Sequence, residues 1–194
     1  LCLSALNTAP EAASAQVFAR VLRDSLGAGR LASDLVFARE DLGGLLPDLA
    51  AQWLRMHRCV LRLSHRVDGI ARAGGGWSVD AHLPPFEAVV IATPPWIARK
   101  LLAPLVDDGL APTLAQLDAL AYEPITTVYL LPETPLRLAR PMMALQCDPP
   151  RRAYGQFVFD RAQTGGPWGW LAVVISASQN VRDLTHDALA QACA

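Results

Sequence analysis

Apolar residues recur along the chain in two periods, and the switch between them divides it into helices and strands. Over 11–26 the spacing of Val17, Phe18, Val21 and Leu22 predicts an amphipathic helix. Thr8 is its candidate cap, Pro10 lies in its first turn, and Gly27-Ala28-Gly29 end it. Leu46, Leu49, Trp53 and Leu54 place a second helix over 45–57, with Pro47 near its start. Residues 59–63 read as a strand. The segments 66–70 and 77–81, on either side of Gly74-Gly75-Gly76, read as a hairpin. Over 86–93 the consecutive β-branched Val89, Val90 and Ile91 predict a strand covered on both faces, stopped by Pro94-Pro95. Short helices are expected over 96–102 and 113–120. Runs over 125–131, 154–159 and 169–176 suggest antiparallel neighbours, and 185–193 is a last helix capped by Thr185.

Composition supports a packed core. The 194 residues are 52% hydrophobic and 18% charged, enough apolar material for one good-sized domain or parts of two. The net charge of -1 gives no reason to expect a nucleic-acid partner. Cys2, Cys59, Cys147 and Cys193 form no CxxC pair, which argues for free thiols in a reducing, cytoplasmic setting. No apolar run reaches the roughly 18 residues of a membrane helix. The first residue is Leu1, inside an apolar stretch, and the last helix carries no stop signal. The chain is therefore expected to be a piece of a longer protein.

Candidate chemistry is sparse. Gly27-Ala28-Gly29-Arg30-Leu31-Ala32 matches a GxGxxA string, but a helix precedes it where a phosphate loop needs a strand. His57, Cys59 and His65 fit no common zinc spacing, so no metal is expected. Arg55, Arg58, Arg62 and Arg66 form a loose basic series that suits a solvated face. No GxSxG elbow exists and no carboxylates pair at an acid/base spacing; Asp107-Asp108 sits in a polar loop. Catalytic residues remain unknown from sequence. Such an absence suits a protein whose reactive part is a cofactor. A small-residue turn after a buried strand, here Ala92-Thr93-Pro94, is where α/β proteins place ligands. On the late strands, alternation offers Val128, Leu130, Phe157 and Phe159 as an apolar wall.

The order of these parts resembles the middle of the flavin-containing amine oxidase and phytoene desaturase superfamily. The resemblance runs through Val60-Leu61-Arg62-Leu63, Arg66-Val67-Asp68-Gly69-Ile70, the glycine hairpin, Trp77-Ser78-Val79 and Phe86-Glu87-Ala88-Val89-Val90-Ile91-Ala92-Thr93-Pro94-Pro95. Leu3-Ser4-Ala5-Leu6-Asn7-Thr8, Tyr122-Glu123-Pro124-Ile125 and Phe157-Val158-Phe159-Asp160-Arg161 are similar to the squalene-associated desaturases within it, the hydroxysqualene dehydroxylases.

The resemblance implies an α+β architecture: part of a split FAD-binding α/β domain, plus a substrate domain with a mainly antiparallel sheet and helices. Residues 1–58 would be the helical part of the substrate domain, 59–105 the returning segment of the FAD domain, and 106–194 the substrate sheet with its helices. FAD is the implied cofactor. Arg66, Val67, Ala92, Thr93 and Pro94 would touch it, with the backbone of Val67 bonding the adenine. A long apolar isoprenoid is the implied substrate, which brings peripheral contact with a membrane. A homodimer formed through exposed apolar surface is a further expectation. An amine substrate in the same fold and a non-catalytic binding module stand as alternatives.

Overall fold

A computed structural model describes residues 2–193. In chain order its elements are helices α1 (Cys2–Leu6), α2 (Ala15–Leu26), α3 (Leu42–Leu45) and α4 (Pro47–Met56), strands β1 (Ala71–Ala73) and β2 (Gly76–Ser78), then helices α5 (Pro95–Leu102) and α6 (Ala111–Asp118). Strands β3 (Ile125–Leu130), β4 (Met142–Ala144), β5 (Phe157–Asp160) and β6 (Leu171–Ser176) follow, and α7 (His186–Gln191) ends the series. The result is a mixed α+β chain whose sheets are antiparallel. It divides into two compact units, Leu1–Cys59 with Glu123–Ala194, and Val60–Tyr122.

The first unit is built on a sheet of order β3-β6-β5-β4. Strand β6 carries the longest apolar run, Leu171-Ala172-Val173-Val174-Ile175, and therefore takes a central place with both faces covered. Strand β3 alternates instead: Ile125 and Tyr129 face out at 57% exposure, while Thr126, Val128 and Leu130 turn in. The register pairs Val128 and Val158 with the same Val173. Val158, Leu171 and Val173 form the core of that face, with Val128, Leu130, Leu138 and Cys193 against it. The three expected β-rich runs thus pair as antiparallel strands. Strand β4 was not anticipated, because its three residues are too short to show a period.

The helices of this unit differ from expectation at their starts. Ser14, not Thr8, caps α2, its Oγ accepting from the Val17 N–H. The Thr8 hydroxyl donates to the Leu6 carbonyl at the end of α1. The expected helix over 45–57 forms as α4, and the short α3 just before it is separated from it at Leu46 (φ -134°, ψ -52°). Pro47 forces the break, since the residue before a proline is pushed out of helical geometry. Thr185 caps α7 as expected, accepting from the Ala188 N–H.

The second unit has a smaller core of Ile70, Leu101 and Leu105, with Val67, Trp77, Val89 and Ile91 packed on it. Its hairpin turns at Gly74-Gly75, both at positive φ (55° and 83°), as a two-residue primed turn requires. The paired arms are β1 and β2, so the ladder starts after 66–70 rather than within it. Two expected strands do not form. Residues 59–63 have no ladder partner, and in 86–93 only Phe86 bridges, to Trp77. The expectation that 86–93 is covered on both faces is also corrected. Val89 and Ile91 face the core, but Val90 is 90% exposed. A β-branched run sets an extended backbone, but a ladder needs another strand alongside at about 4.8 Å. Helices α5 and α6 form close to the expected positions, and Arg99 Nε donates to both oxygens of Asp118 at 2.8 and 2.9 Å.

Candidate functional site

Cavities in both units are lined by residues singled out in the sequence. In the second unit a groove of about 450 Å³ is lined by His65, Arg66, Val67, Asp68, Thr93 and Lys100, with Ile97 and Leu101 at its apolar side. Arg66, Val67 and Thr93 therefore come together. Ala92 and Pro94 lie next to Thr93 in the chain but not in the lining. Thr93 is positioned by α5, whose first turn begins right after it at Pro94-Pro95. Among the described residues, neither the N–H nor the C=O of Val67 has a hydrogen-bond partner. A free donor and a free acceptor on one residue, beside Ile97 and Leu101, suit the edge and face of a heteroaromatic ring. The rim is charged: Arg66 Nε lies 2.8 Å from Asp68 Oδ1, and both side chains are exposed.

The groove's outer edge contains a titrating contact. Asp80 Oδ2 lies 3.1 Å from His65 Nε2, and Asp80 Oδ1 accepts from the His82 N–H at 2.9 Å. The His82 N–H, foremost, and the two histidines hold the Asp80 carboxyl below its ordinary value against a smaller opposing effect of burial. A lowered folded-state pKa means that the stability from this turn is fully present above the ordinary aspartate range. It is lost as pH falls through the depressed value. Hydrogen exchange at the His82 amide should therefore stay slow through mild acid and accelerate only below that range. In Asp80→Asn the acid-dependent step should vanish; its persistence would assign the step to another group.

In the first unit a cavity of about 390 Å³ is lined by apolar side chains, among them Leu130, Leu138, Leu145, Val158, Leu171 and Val173, together with Cys193. Burial pushes the Cys193 thiol above its usual range. A neutral thiol is compatible with an apolar guest, and among the described residues no carboxylate or cation lines this cavity.

The four wall candidates separate. Leu130 lines the cavity, and Val128 packs on the core beneath it. Phe157 and Phe159 pair with Val174 and Ala172, which places them on the opposite face of the sheet. There Phe159 meets Phe37 edge to face, with ring centroids 6.5 Å apart. Alternation along one strand cannot say which face of a neighbouring strand it joins; the inter-strand register decides that.

Three polar residues escaped the sequence reading. Asp160 is fully buried and accepts from the Leu138 N–H (3.1 Å), the Ala162 N–H (3.1 Å) and Gln163 Nε2 (2.7 Å). Gln156 bridges strands, its Oε1 accepting from the Ser176 N–H at 2.6 Å. Asn7 accepts from the Ala177 N–H at 2.6 Å and donates to the Glu123 carbonyl at 3.0 Å, tying the start of the chain to the ends of β6 and β3. An acidic residue closing an apolar strand, as in Phe157-Val158-Phe159-Asp160, was the one available signal.

Gly27-Ala28-Gly29 ends α2, with the Gly27 N–H bonded back to Arg23 and Leu22. His57 stacks on Trp53 at 3.9 Å. Among the described residues no group of three or more His, Cys, Asp or Glu could hold a metal ion, and no helix is long and apolar enough to cross a membrane.

A family model described as flavin containing amine oxidoreductase matches residues 1–194. A hydroxysqualene dehydroxylase from Sinorhizobium fredii is similar, at 32% identity over 108 residues, covering 53% of this chain and 26% of that protein. The match thus spans about a quarter of the length of that curated relative. No solved structure matches.

Proposed function

Because the chain belongs to the flavin containing amine oxidoreductase family, we propose that it is part of an FAD-dependent oxidoreductase that converts hydroxysqualene to squalene. The observation that carries the substrate half is the cavity of the first unit, lined by apolar side chains and one thiol. Such a lining stabilises a hydrocarbon chain through burial, at about 25 cal/mol per Å² of apolar surface removed from water. An amine substrate is disfavoured there, since among the described residues no carboxylate in that lining would partner its charge. The name of the similar protein from Sinorhizobium fredii points the same way.

The cofactor half rests on the groove of the second unit. Val67 offers its free backbone groups to the adenine edge, Ile97 and Leu101 cover a ring face, and Arg66 and Lys100 provide cations for the anionic part of the dinucleotide. Reduced FAD held by Arg66, Val67 and Lys100 would supply the hydride that takes the place of the hydroxyl, which would leave as water with one proton. The chain's own residues bind and orient, and the apolar lining keeps water from the reacting carbon. The exposed Val90, the exposed Leu46 and the exposed α4 residues Leu49, Trp53 and Met56 are covered, in this reading, by the remainder of a larger flavoprotein. The substrate dissolves in lipid, so the enzyme works from the cytoplasm against a membrane surface.

The test uses the full-length polypeptide. Purified, it should be yellow with bound flavin. Reduced without oxygen and given hydroxysqualene, it should form squalene as the flavin reoxidises. A colourless folded protein would overturn the cofactor half. A flavin that is reduced by amines and indifferent to hydroxysqualene would overturn the substrate half.

A further inference from the structure

A third cavity, separate from the apolar one and from the Val67 groove, has different chemistry. It measures about 540 Å³ and is lined by Phe37, Arg39, Arg137, Pro141, Ala162 and Gln163. Its two arginines come from distant parts of the chain and are brought together by packing. Segment 37–42 is laid against β5 by the Phe37–Phe159 ring contact, and its backbone at Glu40-Asp41 closes on Gly165. Arg137 belongs to the β3–β4 connection, which is held by the Leu138 N–H on Asp160 and the Leu138 carbonyl on Gln163.

Several surface arginines here pair with a carboxylate: Arg20 with Asp24, Arg66 with Asp68, Arg99 with Asp118. Among the described residues neither Arg39 nor Arg137 has an ion-pair or hydrogen-bond partner. Both arginines are exposed side chains lining one cavity, so their charges add there, and their planar forks match the oxygens of a phosphate group. The other side chains fit the same guest. Gln163 Nε2 is used on Leu138 and Asp160, which leaves Oε1 to accept from a protonated oxygen. Phe37, Pro141 and Ala162 add an apolar floor.

We infer that the cavity between Arg39 and Arg137 is a binding site for a phosphate-type oxyanion, either free or as the headgroup of a lipid. The site does not depend on the flavin reading, since none of its residues belongs to the Val67 groove or to the apolar cavity.

Calorimetric titration of the chain with inorganic diphosphate at low salt tests the free form. Vesicles of phosphatidylcholine with and without phosphatidic acid test the headgroup form by co-sedimentation. Arg39→Gln or Arg137→Gln should each weaken binding by about tenfold, as expected for loss of one charge-assisted contact. The double variant should bind neither probe. Arg182→Gln, an exposed arginine elsewhere, should bind like the parent chain. Matching thermal transitions would establish that the variants are folded. Binding of diphosphate identifies a free anion, and binding only to phosphatidic acid vesicles identifies a lipid headgroup. No binding of either probe, or binding that survives in the folded double variant, would overturn the site.

Discussion

Asp160→Ala should be the most damaging single substitution in the first unit. The carboxylate is fully buried and accepts two backbone N–H groups and one side-chain amide from the connections that flank β5. Truncation strands those donors away from water and leaves a void at the end of the strand. A stranded buried donor costs about 1–3 kcal/mol, so a total of about 3–5 kcal/mol is expected. Urea unfolding followed by circular dichroism would read this as a lower midpoint with an unchanged slope. Asp160→Asn keeps the shape but turns one acceptor into a donor facing donors, and should recover only part of the loss. If Asp160→Ala unfolds at the same midpoint as the parent chain, the carboxylate does not organise these connections.

Gly165→Ala should come second, for a steric reason. Gly165 ends the short helical turn of Arg161–Thr164 in the left-handed region, at φ 78°. A Cβ there would overlap the backbone of Glu40 and Asp41. Left-handed strain of about 1–2 kcal/mol adds to overpacking of about 1–3 kcal/mol. The chain can relieve the overlap only by lifting segment 37–42 off the sheet. Two results are expected together: a loss of stability, and weaker diphosphate binding because Arg39 moves with that segment. Stability equal to the parent with binding intact would mean that the close approach at Gly165 is absent in solution. Asp160 and Gly165 hold opposite ends of the same turn, so their effects should not add in the double variant.

Much of the local structure was legible because it depends on neighbours in sequence. The helices at α5, α6 and α7, the glycine turn at Gly74-Gly75, and strands β3, β5 and β6 follow from period, capping and turn chemistry. Two failures share one cause. The run Val89-Val90-Ile91 has the composition of a buried strand, but its ladder bonds and its second face must come from elsewhere, and Val90 stands exposed. Phe157 and Phe159 have the alternation of an inward face, but the register with β6 turns them to the other side from Leu130. The site residues divide in the same way. Arg66, Val67 and Thr93 were named together through the family resemblance, and one groove brings them together. Asp160, Asn7 and the Arg39–Arg137 pair were not, since nothing local marks a polar residue whose partner lies across the chain.

By itself the sequence determined where this protein turns, which segments are helical or extended, and its membership in a flavin family. Those properties reside in backbone preference, hydrophobic period and ordered strings of residues. Only the tertiary structure decided which face each strand presents, which extended runs find a ladder, and which distant charges share a cavity. Those depend on register and packing between segments far apart in the chain, where a shift of one residue exchanges inside for outside.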